Sequence, residues 1–568
     1  MTAAPHPATT ASQNRCDLLR YRAGDVESWA TTPLPADARP AVGRWLHTLP
    51  AAAWHHVLGD RTVQVSIDAP DGATLHGRIG AQDHLLAQVP SGSWQASLEV
   101  SRYDRLWFTG ERLDSVRWSV PCERTLPHVD VVMPTYRRED DALAQARRFA
   151  AMDLVHRVLV VDQGGTLAAD PRTEQLIAEH PQVRLLSQRN LGGSGGYARG
   201  MLASLEDPDC AVLLSDDDAI LTEEGLRRML AVQTLAARPT IVGTCLFSDT
   251  TPTRLMVHAE RVRESDFWWT PADALTTPLD LRDIGPSDWD ALTPAHRPNY
   301  TGWWGTLLPP GTVAELGLPA PFFLKWDDAE YGLRATQQGY DHVVLPGADV
   351  HHPSWSAYST QMTWAGRLLH RNRLVAAAAM GAGRGVIASS LVHQAKHVLA
   401  GHHLTADLWA AGIDAVLTGP RTWLGTDLER ARTDGQAVVD AWRAEQRPLL
   451  EGLSPTRRHP LPLPRAALRS GLHLLLPDRR PRIVLGITAQ ELTWRSTLGA
   501  DAVLVTDAVD GFVVRGSRAR RLLARTIGQH ARLALRWGRL HGPTARALRE
   551  ESSAAAWTRT LAPTEEEN

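Results

Sequence analysis

Between residues 60 and 120 apolar and polar positions alternate in short runs, at 62–67, 73–78, 93–100, 105–108 and 115–120. A period of two is that of a half-buried strand, and strands at this spacing predict a β-sandwich over 41–125. Residues 1–40, rich in Pro, Ala and Thr, read as an extended arm. The sandwich suits a sugar-binding or an oligomerisation module, and its residues do not choose between them.

From 128 the pattern changes. Short apolar runs at 128–133, 155–161, 183–186 and 210–214 alternate with segments of helical period. That order predicts an α/β domain over 126–360, with a mostly parallel sheet and right-handed crossovers. Ligands of such sheets sit at the carboxyl ends of strands. Pro134-Thr135, Asp162-Gln163, Asn190 and Asp216-Asp217-Asp218 all fall at such ends. Residues 361–555 read as mainly helical, with a Pro/Arg-rich linker at 454–482 and a β-hairpin near 502–514 turning at Asp510-Gly511. Residues 556–568 read as a disordered acidic tail.

Composition narrows the function classes. A net charge of −3 makes no basic field, so nucleic acid is not an expected partner. Cys16, Cys122, Cys210 and Cys245 form no CxxC pair, which argues for a reducing compartment and against a zinc or disulfide scaffold. Lys325 and Lys396 are the only lysines. No leader pattern opens the chain and no apolar run reaches the roughly 18 residues of a spanning helix. A basic helical stretch at 515–549 fits a solvated face better than a lipid contact.

Three adjacent aspartates either form a solvated acidic turn that caps the following helix or, being unfavourable together otherwise, hold a cation among them. Alternation on a strand lets Asp216 and Asp218 share one ion while Asp217 faces elsewhere. Hard oxygen ligands suit Mg²⁺ or Mn²⁺, ions that also hold substrate phosphates. The glycine-dense run Asn190-Leu-Gly-Gly-Ser-Gly-Gly196, with Gly193 near its middle, fits neither a GxGxxG fingerprint nor a Walker loop. It would still let backbone N–H groups approach a diphosphate. In Trp326-Asp327-Asp328 the two carboxylates either cap a helix, or one serves as general base while the other orients a hydroxyl. His351-His352 follows a strand and offers one imidazole to the ion. Trp303-Trp304, taken as strand residues, would place one ring in the core and the other toward solvent or a cleft; packing of both in the core is the competing reading.

These motifs, in this order, resemble a GT-A glycosyltransferase (family 2-like), a Rossmann-like α/β fold. Four runs are more specific: Asn190-Leu-Gly-Gly-Ser-Gly-Gly-Tyr197, Tyr300-Thr-Gly-Trp-Trp304, Leu324-Lys-Trp-Asp-Asp-Ala-Glu-Tyr-Gly-Leu-Arg-Ala335 and Arg371-Asn-Arg-Leu-Val-Ala-Ala377. They resemble the polymerising galactofuranosyltransferases of the mycobacterial cell-wall galactan, over about residues 45–555.

The resemblance implies several assignments. Asp216, Asp218 and His352 are metal ligands for Mn²⁺ or Mg²⁺, and Asp328 is the catalytic base. Pro134, Thr135, Arg138, Gln163, Asn190, Gly193 and Asp217 lie around the nucleotide sugar. Trp303, Trp304, Asp327 and His351 lie on the acceptor side. It also implies a UDP-galactofuranose donor, a lipid-linked galactan acceptor, inversion at the anomeric carbon, a tetramer, and a peripheral place at the cytoplasmic face of the membrane. The chain departs from the family where Trp-His becomes His351-His352, which leaves open which histidine meets the ion. Two rivals stand beside this reading: a transferase of another nucleotide sugar on the same scaffold, and a non-catalytic carbohydrate-binding or assembly protein.

Overall fold

The computed structural model describes residues 14–293, 296–353, 361–426, 428–508 and 510–562. Two antiparallel sheets form the N-terminal module. One has the order β1 (Arg15–Arg22), β7 (Ser115–Pro121), β2 (Thr62–Ala69), β5 (Gly92–Glu99). The other has the order β4 (Gln82–Val89), β3 (Ala73–Ile79), β6 (Arg105–Thr109). Their inner faces meet at Phe108 and Trp118, whose ring centroids are 6.0 Å apart. Part of the expected arm is therefore structured: β1 pairs with β7 along its length. Its apolar residues Leu18 and Leu19 are buried, which the Pro-rich composition around them concealed.

The central sheet has ten strands. The run β10 (Val183–Ser187), β9 (Val155–Asp162), β8 (Val129–Thr135), β11 (Ala211–Leu214) is parallel throughout. Beyond β11 the sheet is mixed. β18 (Thr306–Leu308) runs antiparallel to both β11 and β13 (Thr240–Ser248), while β19 (Asp341–His352) returns parallel to β13. Between β13 and β18 the chain adds the antiparallel strands β14 (Arg254–Val257) and β17 (Leu279–Asp280) to the same sheet and, between them, the separate pair β15 (Glu260–Val262) and β16 (Trp269–Pro271), so a mostly parallel sheet describes only the half from β10 to β11. Its inner strands β9, β8 and β11 are largely apolar and buried on both faces, as helix-covered parallel strands must be, while the edge strand β10 is partly exposed.

The N-terminal module is tied to this sheet through a buried carboxylate. Trp29 and Trp45 donate their indole N–H groups to Asp349 of β19, at 3.0 and 2.7 Å.

After 361 the chain is mainly helical, with helices Ala365–Ala379, Gly385–Leu399, His403–Thr418, Leu428–Leu450 and Gly516–Glu551. The expected linker at 454–482 contains a further helix, Leu463–Leu475. The expected hairpin is part of a three-stranded sheet, β20 (Val484–Ile487), β21 (Ala502–Val505) and β22 (Asp510–Val513). Asp510 and Gly511 lie within β22, paired with Val505 and Leu504, so the turn comes before them. Residues Ala554–Leu561 form a helix whose Trp557 is buried, and only 563–568 of the expected tail lie outside the described residues. Among the described residues no helix is long and apolar enough to cross a membrane.

Candidate active site

The parallel run fixes the site. β9, β8 and β11 are neighbours pointing the same way, so Thr135, Gln163 and the triplet after Leu214 emerge at one edge. Just past the triplet, β12 (Ile220–Leu221) pairs with the end of β19, placing Ile220 opposite His351. That pairing delivers His352 to the aspartates. Its Nε2 stands 3.2 Å from Asp218 Oδ1 and 3.7 Å from Asp216 Oδ2. Asp216, Asp218 and His352 each present a ligand atom within 4.8 Å of the others. Two carboxylates and one imidazole form a donor set suited to Mn²⁺ or Mg²⁺. Burial raises Asp216 above the ordinary carboxylate range and pushes Asp217 up to about 7. Such crowded carboxyls are neutralised by a proton or by a cation.

Adjacent strand residues face opposite ways, and that separates the two histidines. His352 faces the aspartates. The His351 ring is buried edge-on against Trp29 at 4.5 Å, with Phe247 at 5.7 Å, and burial lowers it to about 4. The placement of His351 on the acceptor side is therefore corrected: it packs against the N-terminal module.

The residues expected around the nucleotide sugar gather around Asp217 and the glycine-rich turn. Thr135 donates its hydroxyl to Asp217 at 2.7 Å. Arg138 reaches Asp218 at 2.5 Å and lies 3.7 Å from Asp217. Gln163 donates to the Gly192 carbonyl at 3.1 Å and accepts from the Leu191 N–H at 2.9 Å. Asn190 accepts from the Gly192 N–H at 3.0 Å. Gly192 itself has φ +71°, and a Cβ there would stand 2.1 Å from the Phe323 carbonyl oxygen. Only glycine lets the turn touch that segment. Pro134 lies beside it, where a Cβ on Gly196 would come within 2.5 Å of the Pro134 ring.

A cleft of about 460 Å³ opens beside the aspartates. Gly193, Tyr197, Asp216, Glu260, Trp303, Trp304, Lys325, Asp327 and Asp328 are among its lining residues. The double tryptophan sits in a turn before β18, not on a strand. Both residues line the cleft; Trp303 is buried in the core and Trp304 is half-buried. Trp303 packs edge-on against Tyr197 at 4.9 Å.

Asp327 and Asp328 open the helix Asp327–Gln337, where the N-terminal dipole favours negative charge. Asp328 accepts from the Ala329 N–H at 2.7 Å. Burial, with Asp327 beside it, pushes Asp328 up to about 8. Asp327 is raised as well, chiefly by burial, and accepts a 2.9 Å hydrogen bond from Ser194. A carboxyl held near 8 in a cleft is suited to take a proton near neutral pH.

Sequence reading passed over Ser194 and Tyr197. Tyr197 donates to Asp216 at 2.7 Å and contacts the Trp303 carbonyl oxygen at 3.0 Å. The two residues stand three apart on one helix and so share a face, which the spacing alone displays. A second group of ligating side chains, Asp130, His156 and Cys210, lies away from the cleft. There Arg157 engages Asp130 through Nε at 3.0 Å, a structural ion pair.

Comparison with known proteins agrees with this architecture. The family described as "Glycosyltransferase like family 2" matches residues 127–376. Galactofuranosyltransferase GlfT2 of Mycolicibacterium smegmatis is 32% identical over 494 residues, covering 80% of this chain and 76% of that protein. The GlfT2 of Mycobacterium tuberculosis is 30% identical over 475 residues, covering 77% and 74%. Among solved structures, GalNAc-T7 with UDP, GalNAc and Mn²⁺ aligns with 46% of this chain and 49% of that one, at 12% identity and a TM-score of 0.35, too loose a likeness to argue from. The fold and site define a GT-A glycosyltransferase. The chain belongs to the galactofuranosyltransferase family typified by GlfT2.

Proposed function

We propose that the protein transfers galactofuranose from UDP-galactofuranose to a glycan acceptor, lipid-linked as the family resemblance implies, with inversion at the anomeric carbon. The observation that carries this reading is that Asp216 of the Asp216–Asp218–His352 donor set lines the same cleft as the raised carboxyl of Asp328. The relatives' name supplies the sugar.

Asp216, Asp218 and His352 would hold a divalent cation. When bound, that ion supplies Lewis-acid neutralisation of the departing diphosphate. Thr135, Arg138, Gln163 and Asn190 bind and orient the nucleotide from the strand ends, with Asp217 fixing Thr135. Gly193 brings backbone within reach of the diphosphate. Trp303 and Trp304 offer aromatic faces to the acceptor sugar. Asp327, held by Ser194, orients the acceptor, and Asp328 takes the proton from its attacking hydroxyl. Attack from the face opposite the leaving group requires no covalent enzyme intermediate, and the transition state carries oxocarbenium character.

The reading extends to a cytoplasmic enzyme at the inner membrane face, assembled as a homo-oligomer, a tetramer by resemblance. The test is incubation with a panel of UDP- and dTDP-sugars, a synthetic galactofuranosyl acceptor and Mn²⁺, following nucleotide release. Release confined to UDP-galactofuranose is expected. Preference for another sugar nucleotide would contradict the donor assignment.

A further inference from the structure

The segment before Asp327 is strained. Phe323, Lys325 and Trp326 have φ of +71°, +70° and +72°, the left-handed region that non-glycine residues avoid. Phe267, in another loop, shares this conformation at +52°. The two loops are joined by their rings: Trp326 stacks with Phe267 at 5.5 Å and with Trp269 at 4.8 Å. Strain of this kind persists only where the surroundings over-determine it.

Three consecutive residues of the helix Ala365–Ala379 do so. Asn372 directs its Nδ2 group at three carbonyl oxygens, those of Phe322 at 3.2 Å and of Leu324 and Lys325 at 3.0 Å. Arg371 donates from Nε to Asn372 Oδ1 at 2.9 Å, which fixes the amide with its nitrogen toward the loop, and from Nη2 to the Phe322 oxygen at 3.0 Å. Arg373 grips the other loop, donating to the carbonyl oxygens of Phe267 at 2.8 Å and Asp266 at 2.6 Å. All three side chains are buried, with Asn372 and Arg373 fully so. Burying two guanidiniums against backbone carbonyls is costly, and apolar residues would fill a helix interface at less expense. From the opposite side, Ser194 donates its backbone N–H to the Phe323 oxygen at 3.2 Å.

We infer that Arg371, Asn372 and Arg373 are positioning residues for transfer: their hydrogen bonds hold the two left-handed loops so that Asp327 and Asp328 are aimed into the cleft. This rests on the reading of Asp328 as the base. None of the three is among the cleft-lining residues, so they act through the loops and not on the substrate.

The test compares Asn372→Ala, Arg373→Lys and Asp328→Ala with the wild type, using UDP-galactofuranose, Mn²⁺ and a synthetic galactofuranosyl acceptor. Asn372→Ala should lower kcat about 100-fold, the scale of a misaimed catalytic group. The donor KM, and the Kd for UDP measured with Mn²⁺, should change by less than about threefold, since Asn372 bonds the carbonyls of Phe322, Leu324 and Lys325 and none of the residues assigned to the nucleotide. The rising limb of the kcat–pH profile should move to lower pH as water reaches Asp328. Arg373→Lys keeps the charge but loses the planar fork, and should lower kcat about 10-fold in the same pattern. It decides the matter if Asn372→Ala fails to fold. A folded variant with kcat within about twofold of wild type, or one that loses UDP binding together with kcat, would overturn the positioning role. Asp328→Ala separates the two ideas. If it retains turnover, the base assignment falls; if it is inactive while both other variants turn over normally, only the positioning role falls.

Discussion

Ser194 donates its hydroxyl to Asp327 across 133 positions of sequence, at 2.9 Å. This bond joins the glycine-rich turn to the second acidic centre. It places the two motifs on one cleft wall, with the Asp216 side chain reached from the same helix through Tyr197. Removing the donor leaves a buried carboxyl short of a partner. Ser194→Ala should cost about 1–3 kcal/mol of stability and lower kcat, read by denaturant unfolding and by turnover.

The cation site should be separable from the base. Asp216→Ala and His352→Ala each remove one ligand from the three-residue donor set. Titration calorimetry of UDP with and without Mn²⁺ should show the metal-dependent part of binding lost in both variants. Asp328→Asn, which leaves the donor set intact, should keep it.

Asp328 is expected to trade stability for activity. Its carboxyl stands at about 8 in the fold, against about 4 in an unfolded chain, so between those values the folded state binds the proton more tightly. Stability contributed by this group is therefore full below about pH 4 and is lost as pH rises toward 8. Asp328→Asn should raise Tm at pH 8 while abolishing turnover. In the wild type, kcat should rise with pH through the range around 8, as the base ionises.

Buried histidines set the acid limit. Burial holds His47 and His342 near 4, and His402 and His403 near 3. An unfolded chain takes these protons near 6.5, before the fold does, so stability is lost as pH falls below 6.5. Each group contributes about 1.4 kcal/mol per pH unit across that window. Chemical unfolding followed from pH 7 to pH 5 should show a falling midpoint, and His342→Gln should flatten the slope.

Much of this was legible in the chain. The parallel half of the sheet and the strand-end residues Thr135, Gln163 and Asp216 followed from apolar runs of strand length and what terminates them. Three things were not. β18 enters antiparallel after a long excursion, and no local period reports strand direction. His351 and His352 are chemically identical in sequence; only the pairing of β12 with β19 decides which one faces the aspartates. The run from Arg371 stood out only by resemblance, and no role for Arg371, Asn372 and Arg373 was legible, because their work is done on carbonyls about 50 to 107 positions away.

The anomeric configuration of the sugar transferred from UDP-galactofuranose, read by NMR on the first addition product, tests the account most directly. A single base at Asp328 facing a leaving diphosphate predicts a product inverted relative to the donor. A product with the donor's configuration retained would require a covalent or front-face route and would contradict it.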